Sequence, residues 1–137
     1  MENIQLISQL NNALNREIST AVRYMLQSST ISGVSNEPLR SMYRDEVQDE
    51  LGHAQYLADK IVMLGGTPHP EPDFKPIPGD VSQMIENDLA AEEDDVAHYK
   101  KLANMAGEAG DIELKMQMEE QAADESRHAE KLRRMRA

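Results

Sequence analysis

Glu50-Leu51-Gly52-His53 and Glu125-Ser126-Arg127-His128 read alike: each is a Glu-x-x-His set in a long stretch patterned at helical spacing. On an α-helix, residues three apart share a face, with Cβ atoms about 5–6 Å apart. Each run therefore aims one carboxylate and one imidazole at a common point. Two such pairs facing each other make half a cage for two metal ions. One carboxylate from each of two further helices completes it, and Glu17 and Glu92 occupy those positions.

These residues fall at matching places in the helical pattern. The first apolar stripe runs Ile7, Leu10, Leu14, Glu17, Ala21, Tyr24, and the second runs Leu39, Tyr43, Glu46, Glu50, His53, Leu57, Leu64. The third is Ile85, Leu89, Glu92, Val96, Tyr99, Ala103, and the fourth is Leu114, Met118, Gln121, Glu125, His128, Leu132, Met135. Each stripe is broken near its middle by Glu, and two are broken by Glu plus His. A buried ionised carboxylate costs several kcal/mol unless it is paired or bound to metal. No Lys or Arg sits on the stripes beside these acids. Two divalent cations cancel the four charges of Glu17, Glu50, Glu92 and Glu125, and His53 and His128 add neutral nitrogens. Mixed carboxylate and imidazole donors suit iron or manganese better than structural zinc.

Four helices must carry these stripes. The first runs from about Asn3 to about Ser32 and is broken by Gly33 and the segment through Pro38, with Ser35 or Asn36 as the next N-cap. The second runs from about Glu37 to Leu64 and stops at Gly65-Gly66. Residues 65–79 hold five of the six prolines and read as an extended connector. Asp80-Val81-Ser82-Gln83 resembles a capping box and opens the third helix, which reaches about Ala106. The fourth starts near Asp111 and runs to the end, with Arg133, Arg134 and Arg136 placed to complement its dipole. At 1.5 Å per residue the second helix is about 40 Å long, and the connector can span about 45–50 Å. The short links make antiparallel hairpins, and the long one lets the second and third helices run parallel. The predicted fold is all-α, a four-helix bundle with one long crossover, in a single domain over 1–137.

Most other acids read as solvated: Glu2, Glu86, Glu93, Asp94, Glu108, Glu119 and Glu130. Glu46 reads as an acid at the edge of the seam. Asp95, one turn after Glu92, reads as mostly surface, though within reach of the site. His69 and His98 read as surface residues. Tyr24 and Tyr99 belong to the core, and Tyr24 is the better placed of the two to orient a ligand or give up an electron.

Composition excludes several classes. With no cysteine there are no disulfides, Cys-ligated zinc, iron–sulfur clusters or thiol catalysis. A net charge of -11 lacks the basic footprint of a nucleic-acid binder and attracts cations. No apolar stretch approaches membrane-spanning length, and no secretory signal opens the chain. A cytoplasmic location is expected.

The chain resembles the ferritin-like superfamily and, within it, the bacterioferritins. The residues that carry the likeness are Leu14-Asn15-Arg16-Glu17 with Tyr24, Asp49-Glu50-Leu51-Gly52-His53-Ala54, Asp88-Leu89-Ala90-Ala91-Glu92, and Asp124-Glu125-Ser126-Arg127-His128. The resemblance implies a di-iron centre with two irons per subunit, on Glu17, Glu50, His53, Glu92, Glu125 and His128, with Glu50 and Glu125 bridging. The implied activity is ferroxidase: Fe2+ is oxidised by O2 or H2O2, and Fe3+ is stored inside a hollow shell. Leu51 stands where bacterioferritins carry their haem-ligating Met, and Met25 falls near the same pocket as a displaced ligand for a haem-type porphyrin at the dimer interface. The fifth short helix of large shells is missing, so a closed homo-oligomer of about twelve chains is expected rather than 24. Its dimer face is expected to carry Ile18, Val22, Met25 and Leu51. Two other functions use the same residues: a rubrerythrin-like peroxide reductase without storage, and a non-catalytic di-metal bundle or electron carrier.

Overall fold

Four long helices carry the chain: α1 (Asn3–Thr30), α2 (Glu37–Met63), α3 (Val81–Glu108) and α4 (Ile112–Met135), with one 3-10 turn, Val34–Asn36, ahead of α2. The structure, a computed structural model, describes residues 3–136; the reading of Glu2 as a solvated acid lies outside the described residues. Helix directions follow from side-chain pairs. Arg16 meets Asp95 and Arg23 meets Asp88, so advancing along α1 retreats along α3. His53 meets Asp124 and His128 meets Asp49, so α2 and α4 are antiparallel as well. With α1–α2 and α3–α4 as hairpins, α2 and α3 run parallel and the crossover travels the length of the bundle, as its length requires.

The crossover is pinned by a ladder that its own composition does not reveal. Asn11 Oδ1 accepts from the His69 amide at 2.7 Å, Asn15 Oδ1 accepts from the Glu71 amide, and Ser19 Oγ accepts from the Asp73 amide at 2.8 Å. Four residues of helix rise about 6 Å, and two residues of extended chain rise nearly the same. The two periodicities match, so alternate amides from His69 to Asp73 each find a partner one turn further along α1.

Helix ends follow local chemistry. α2 closes with Gly65 at φ +89, and the amides of Gly65 and Gly66 return to Val62 and Ile61, the paired bonds of a Schellman stop. Asp80 and Asp111 cap α3 and α4 by accepting from the amides of Gln83 and Leu114 at 2.8 and 3.0 Å. Gln83 does not return the bond, because its side-chain amide donates to Asn87 instead. Asn36 precedes α2 without a side-chain cap and donates to the Ser32 carbonyl. A Cβ at Gly66 would lie 2.7 Å from Ile7 Cγ2 and 3.1 Å from Ile61 Cγ2. Gly66→Ala is therefore expected to cost about 1–3 kcal/mol by overpacking, read as a lowered midpoint in chemical denaturation. An unchanged midpoint would mean that Ile7 yields freely.

The core divides into two apolar clusters. One holds Leu10, Leu14, Leu57, Ile61, Leu102 and Leu114; the other holds Tyr24, Leu39, Tyr43, Ile85, Leu89 and Leu132. On every helix the acidic break lies between them, so the bundle carries a polar layer sandwiched by two dry ends. The predicted stripes slip at their tips. Ile7 and Leu64 are half-buried, Leu6 and Ile61 take core places, and Met135 is exposed. A heptad-spaced stripe drifts about 20° per repeat on a straight helix, so the error collects at the ends. Val96 is also only half-buried, with Asp95 buried beside it.

Candidate metal centre

Each of the four helices delivers acid to the polar layer because its stripe breaks at the same depth. Glu17, Glu50, His53, Glu92, Glu125 and His128 are all buried. They form two overlapping sets, Glu17–Glu50–His53–Glu125 and Glu50–Glu92–Glu125–His128, and within each set one ligand atom per residue lies within 4.8 Å of all the others. Only Glu50 and Glu125 belong to both. The Nδ1 atoms of the two imidazoles face inward: His53 Nδ1 is 3.5 Å from Glu17 Oε2 and 3.3 Å from Glu125 Oε1, and His128 Nδ1 is 3.1 Å from Glu50 Oε1. Yet both Nδ1 atoms, both oxygens of Glu50 and Glu125, Glu17 Oε2 and Glu92 Oε2 lack a hydrogen-bond partner. Buried polar atoms are nearly always satisfied, so a cluster of unpaired donors and acceptors aimed at one point fits cations between them.

The outer partners set the orientation. His53 Nε2 lies 2.9 Å from Asp124 Oδ2, and His128 Nε2 lies 3.1 Å from Asp49 Oδ2. A proton on each Nε2, donated to its aspartate, leaves the Nδ1 lone pair for metal. Tyr24 donates to Glu92, and Tyr99 donates to Glu17 Oε1 at 2.5 Å. Asp49→Asn and Asp124→Asn are expected to weaken metal binding about 10–100-fold, read by Co2+ titration. Wild-type affinity in both would remove the aspartates from the site.

These pairings repeat. Glu17 to Glu92, Tyr24 to Tyr99, Asp49 to Asp124, Glu50 to Glu125 and His53 to His128 are all the same step along the chain, so the α1–α2 hairpin and the α3–α4 hairpin supply matching halves. That constant step is the signal that pairs Tyr99 with Tyr24 and marks both aspartates. The repeat breaks at this depth at Glu46, which has Gln121 as its counterpart, and at Asp95, which has Thr20.

Electrostatics follows burial. Burial pushes Glu50 well above the usual carboxylate range, with Glu17 and Glu125 adding to the effect, and pushes Glu125 up to about 11. Burial alone would pull the imidazoles down, but Glu125 and Glu17 raise His53 to about 11, and Glu92 and Glu46 raise His128 to about 9. Glu92 goes the other way: burial would raise it, and His128 outweighs that and holds it low. Without metal, protons carry the compensating positive charge.

Several expectations need correction. Glu46 is not a seam-edge acid. It is 1% exposed, neither oxygen has a hydrogen-bond partner, and its Oε2 lies 4.0 Å from His128 Nδ1; burial pushes it up to about 8. Asp95 is buried rather than at the surface, because Arg16 Nε reaches it at 2.6 Å. Asp88 and Lys60 are buried too, and neither stands out in the helical pattern. Lys60 is held by Asp111 and Glu113, both at 2.9 Å. His69 is exposed, and its ring meets Glu71. His98 is half-buried, with Nε2 3.4 Å from the Gln9 carbonyl, away from both ligand sets. Met25 and Leu51 are each about half exposed, so a thioether is available at the surface of the single chain.

The ferritin-like domain matches residues 7–136, and the chain belongs to the ferritin-like family. Within that family it is bacterioferritin-like. The bacterioferritin of Brucella melitensis biotype 1 is 29% identical over 126 residues, covering 90% of this chain and 78% of that protein. A ferritin-like, di-iron-carboxylate protein from Bacillus anthracis superposes with a TM-score of 0.94 at 35% identity, over 98% of this chain and 97% of that one. BfrA from Mycobacterium tuberculosis superposes at 0.86 and 27% identity, over 95% and 81%. Among the described residues no helix is long and apolar enough to cross a membrane.

Proposed function

We propose that this protein is a ferroxidase that binds two Fe2+ per chain, oxidises them with O2 or H2O2, and stores the Fe3+ product inside a closed homo-oligomeric shell. The observation that carries the reading is the pair of overlapping ligand sets sharing only Glu50 and Glu125. In this reading Glu17 and His53 hold one ion, Glu92 and His128 hold the other, and Glu50 and Glu125 bridge. The four carboxylates balance two divalent ions, and the protons held on Glu50, Glu125 and the imidazoles leave as metal enters. Two Fe2+ give two electrons, which with two protons reduce H2O2 to two waters or O2 to H2O2. The apolar clusters on either side keep bulk water from the reacting ions. Tyr24, bonded to Glu92, is placed to supply a further electron.

A net charge of -11 favours accumulation of Fe2+ at the surface. Exposed Met25 and Leu51 support an isologous contact between two copies, with Met25 as the ligand for a haem-type porphyrin bound there. The assembly is a closed shell of about twelve chains. The test adds Fe2+ aerobically in excess of two per chain, follows O2 consumption, and then measures particle mass and retained iron. Rapid O2 uptake with iron retained far beyond two per chain is expected. Uptake with only about two irons retained would favour a peroxide-reducing enzyme without storage, and no uptake, with no Fe3+ formed when H2O2 replaces O2, would leave a non-catalytic di-metal bundle.

A further inference from the structure

The Tyr24 ring is stacked obliquely on Tyr43, with centroids 4.8 Å apart and planes at 50°. Both side chains are fully buried. Tyr24 donates to Glu92 at the metal centre. Tyr43 donates to Asp88 Oδ2 at 2.6 Å, and Asp88 belongs to neither ligand set. Asp88 also accepts from Gln27 Nε2 at 2.7 Å and from Arg23 Nε at 2.8 Å. Arg23 is partly exposed and lines a groove of about 550 Å³ between α1, α3 and the crossover. Its guanidinium also lies 5.4 Å from the centroid of the Tyr24 ring. The chain thus holds a continuous line of contacts, Glu92–Tyr24–Tyr43–Asp88–Arg23, from the centre to that groove. The metal chemistry proposed above uses only its first two members.

We propose that Tyr43, with Asp88 as its proton acceptor, is a second redox-active tyrosine that draws an oxidising equivalent off Tyr24 and away from the metal centre. This rests on the ferroxidase reading. Reduction of H2O2 to two waters takes two electrons. A chain holding two Fe2+ supplies both, but a chain holding one supplies only one. The second then comes from Tyr24: H2O2, Fe2+, Tyr24–OH and one proton give Fe3+, the neutral Tyr24 radical and two waters. In the onward step Tyr43 gives an electron to the Tyr24 radical. The Tyr43 phenol proton passes along its hydrogen bond to Asp88, and Tyr24 regains a proton across its bond to Glu92. One feature sets the direction. The Arg23 cation over the Tyr24 ring disfavours an electron-poor ring there. The Asp88 carboxylate accepts the proton that oxidation of Tyr43 releases, as Glu92 does for Tyr24, so proton transfer does not oppose the step. Tyr24, held on the anionic Glu92, would otherwise keep the radical beside the ligands it can damage.

The experiment loads anaerobic protein with one Fe2+ per chain, adds one equivalent of H2O2, and freeze-quenches samples for electron paramagnetic resonance. The same samples are read for Fe3+ by absorbance. Ring-deuterated tyrosine identifies the radical type. Wild type should give a tyrosyl signal whose hyperfine pattern disappears in Tyr43→Phe and is replaced by a different tyrosyl pattern, that of Tyr24. Asp88→Asn should give the Tyr43→Phe pattern although Tyr43 is present. Tyr24→Phe should reduce the tyrosyl signal to background, because the step above then lacks its second electron. Thermal melts establish that each variant is folded; if Asp88→Asn is not, Tyr43→Phe decides alone. A Tyr43→Phe spectrum identical to wild type overturns the relay, as does Fe3+ formation with no radical in wild type, and both leave the ferroxidase reading standing. Absence of Fe3+ formation in wild type overturns the relay, and absence also with two Fe2+ per chain under O2 and under H2O2 overturns the ferroxidase reading with it.

Discussion

Alanine at Glu50 or at Glu125 is expected to slow Fe2+ oxidation by at least about 100-fold, above the 10–100-fold cost typical of losing only an outer partner of a metal ligand. These two side chains belong to both ligand sets, and each is fully buried. Removing either withdraws a donor from both ions at once. It also leaves three carboxylates facing two divalent cations, so charge balance fails along with geometry. The comparison that gives the result meaning is Glu17→Ala, which strips one set and leaves the other complete. That variant should keep one tight metal position, counted by Co2+ titration, whereas Glu50→Ala should weaken both. Stopped-flow oxidation measures the rates. Wild-type rates in both Glu50→Ala and Glu125→Ala would move the reaction elsewhere in the molecule.

What the sequence discloses about this molecule is depth within each helix. The helical period fixes which residues face inward, so Glu17, Glu50, His53, Glu92, Glu125 and His128 stand out as polar breaks in apolar stripes, and the capping chemistry of Asp80 and Asp111 fixes where two helices begin. Burial decided by a partner on another helix is not disclosed. Asp88 and Asp95 look like surface acids until Arg23 and Arg16 of α1 are brought against them. Lys60 looks like a surface base until Asp111 and Glu113 enclose it. Asn11, Asn15 and Ser19 look like ordinary solvated positions, yet their spacing matches the alternate amides of the crossover. Glu46 is the instructive failure. It lies on the second stripe one turn from Glu50, so the helical period points it inward, against the usual preference of an unpaired acid for a seam edge. The general cost of burying a carboxylate argues against such a residue only where no cation is available to share.

The metal-free protein should lose stability as pH rises, and metal should reverse that trend. The folded pKa values of Glu46, Glu50 and Glu125 all lie above the ordinary carboxylate value, at about 8 for Glu46 and about 11 for Glu125. Those of His53 and His128 lie above the ordinary imidazole value, at about 11 and about 9. For each group the folded chain holds its proton over a range where the unfolded chain has released it. Stability falls with pH wherever the folded state binds more protons. The contribution of each group is complete below its unfolded pKa and is lost as pH climbs through the folded one, which places the decline from about pH 5 for the carboxylates and about pH 6.5 for the imidazoles, continuing past pH 8. Metal binding requires the opposite protonation, ionised carboxylates and neutral imidazoles, so stabilisation by Co2+ should grow over the same interval. Melting curves with and without Co2+, taken from pH 5.5 to 8.5, should therefore diverge as pH increases. The double variant Glu50→Gln, Glu125→Gln tests the cause, since an amide mimics the protonated acid and cannot ionise. In the metal-free state it should match wild type near pH 5.5 and exceed it near pH 8.5, with a flatter slope between. A metal-free wild type that gains stability with pH, or a double variant that follows the wild-type slope, would show that the clustered carboxylates do not govern the stability of this bundle.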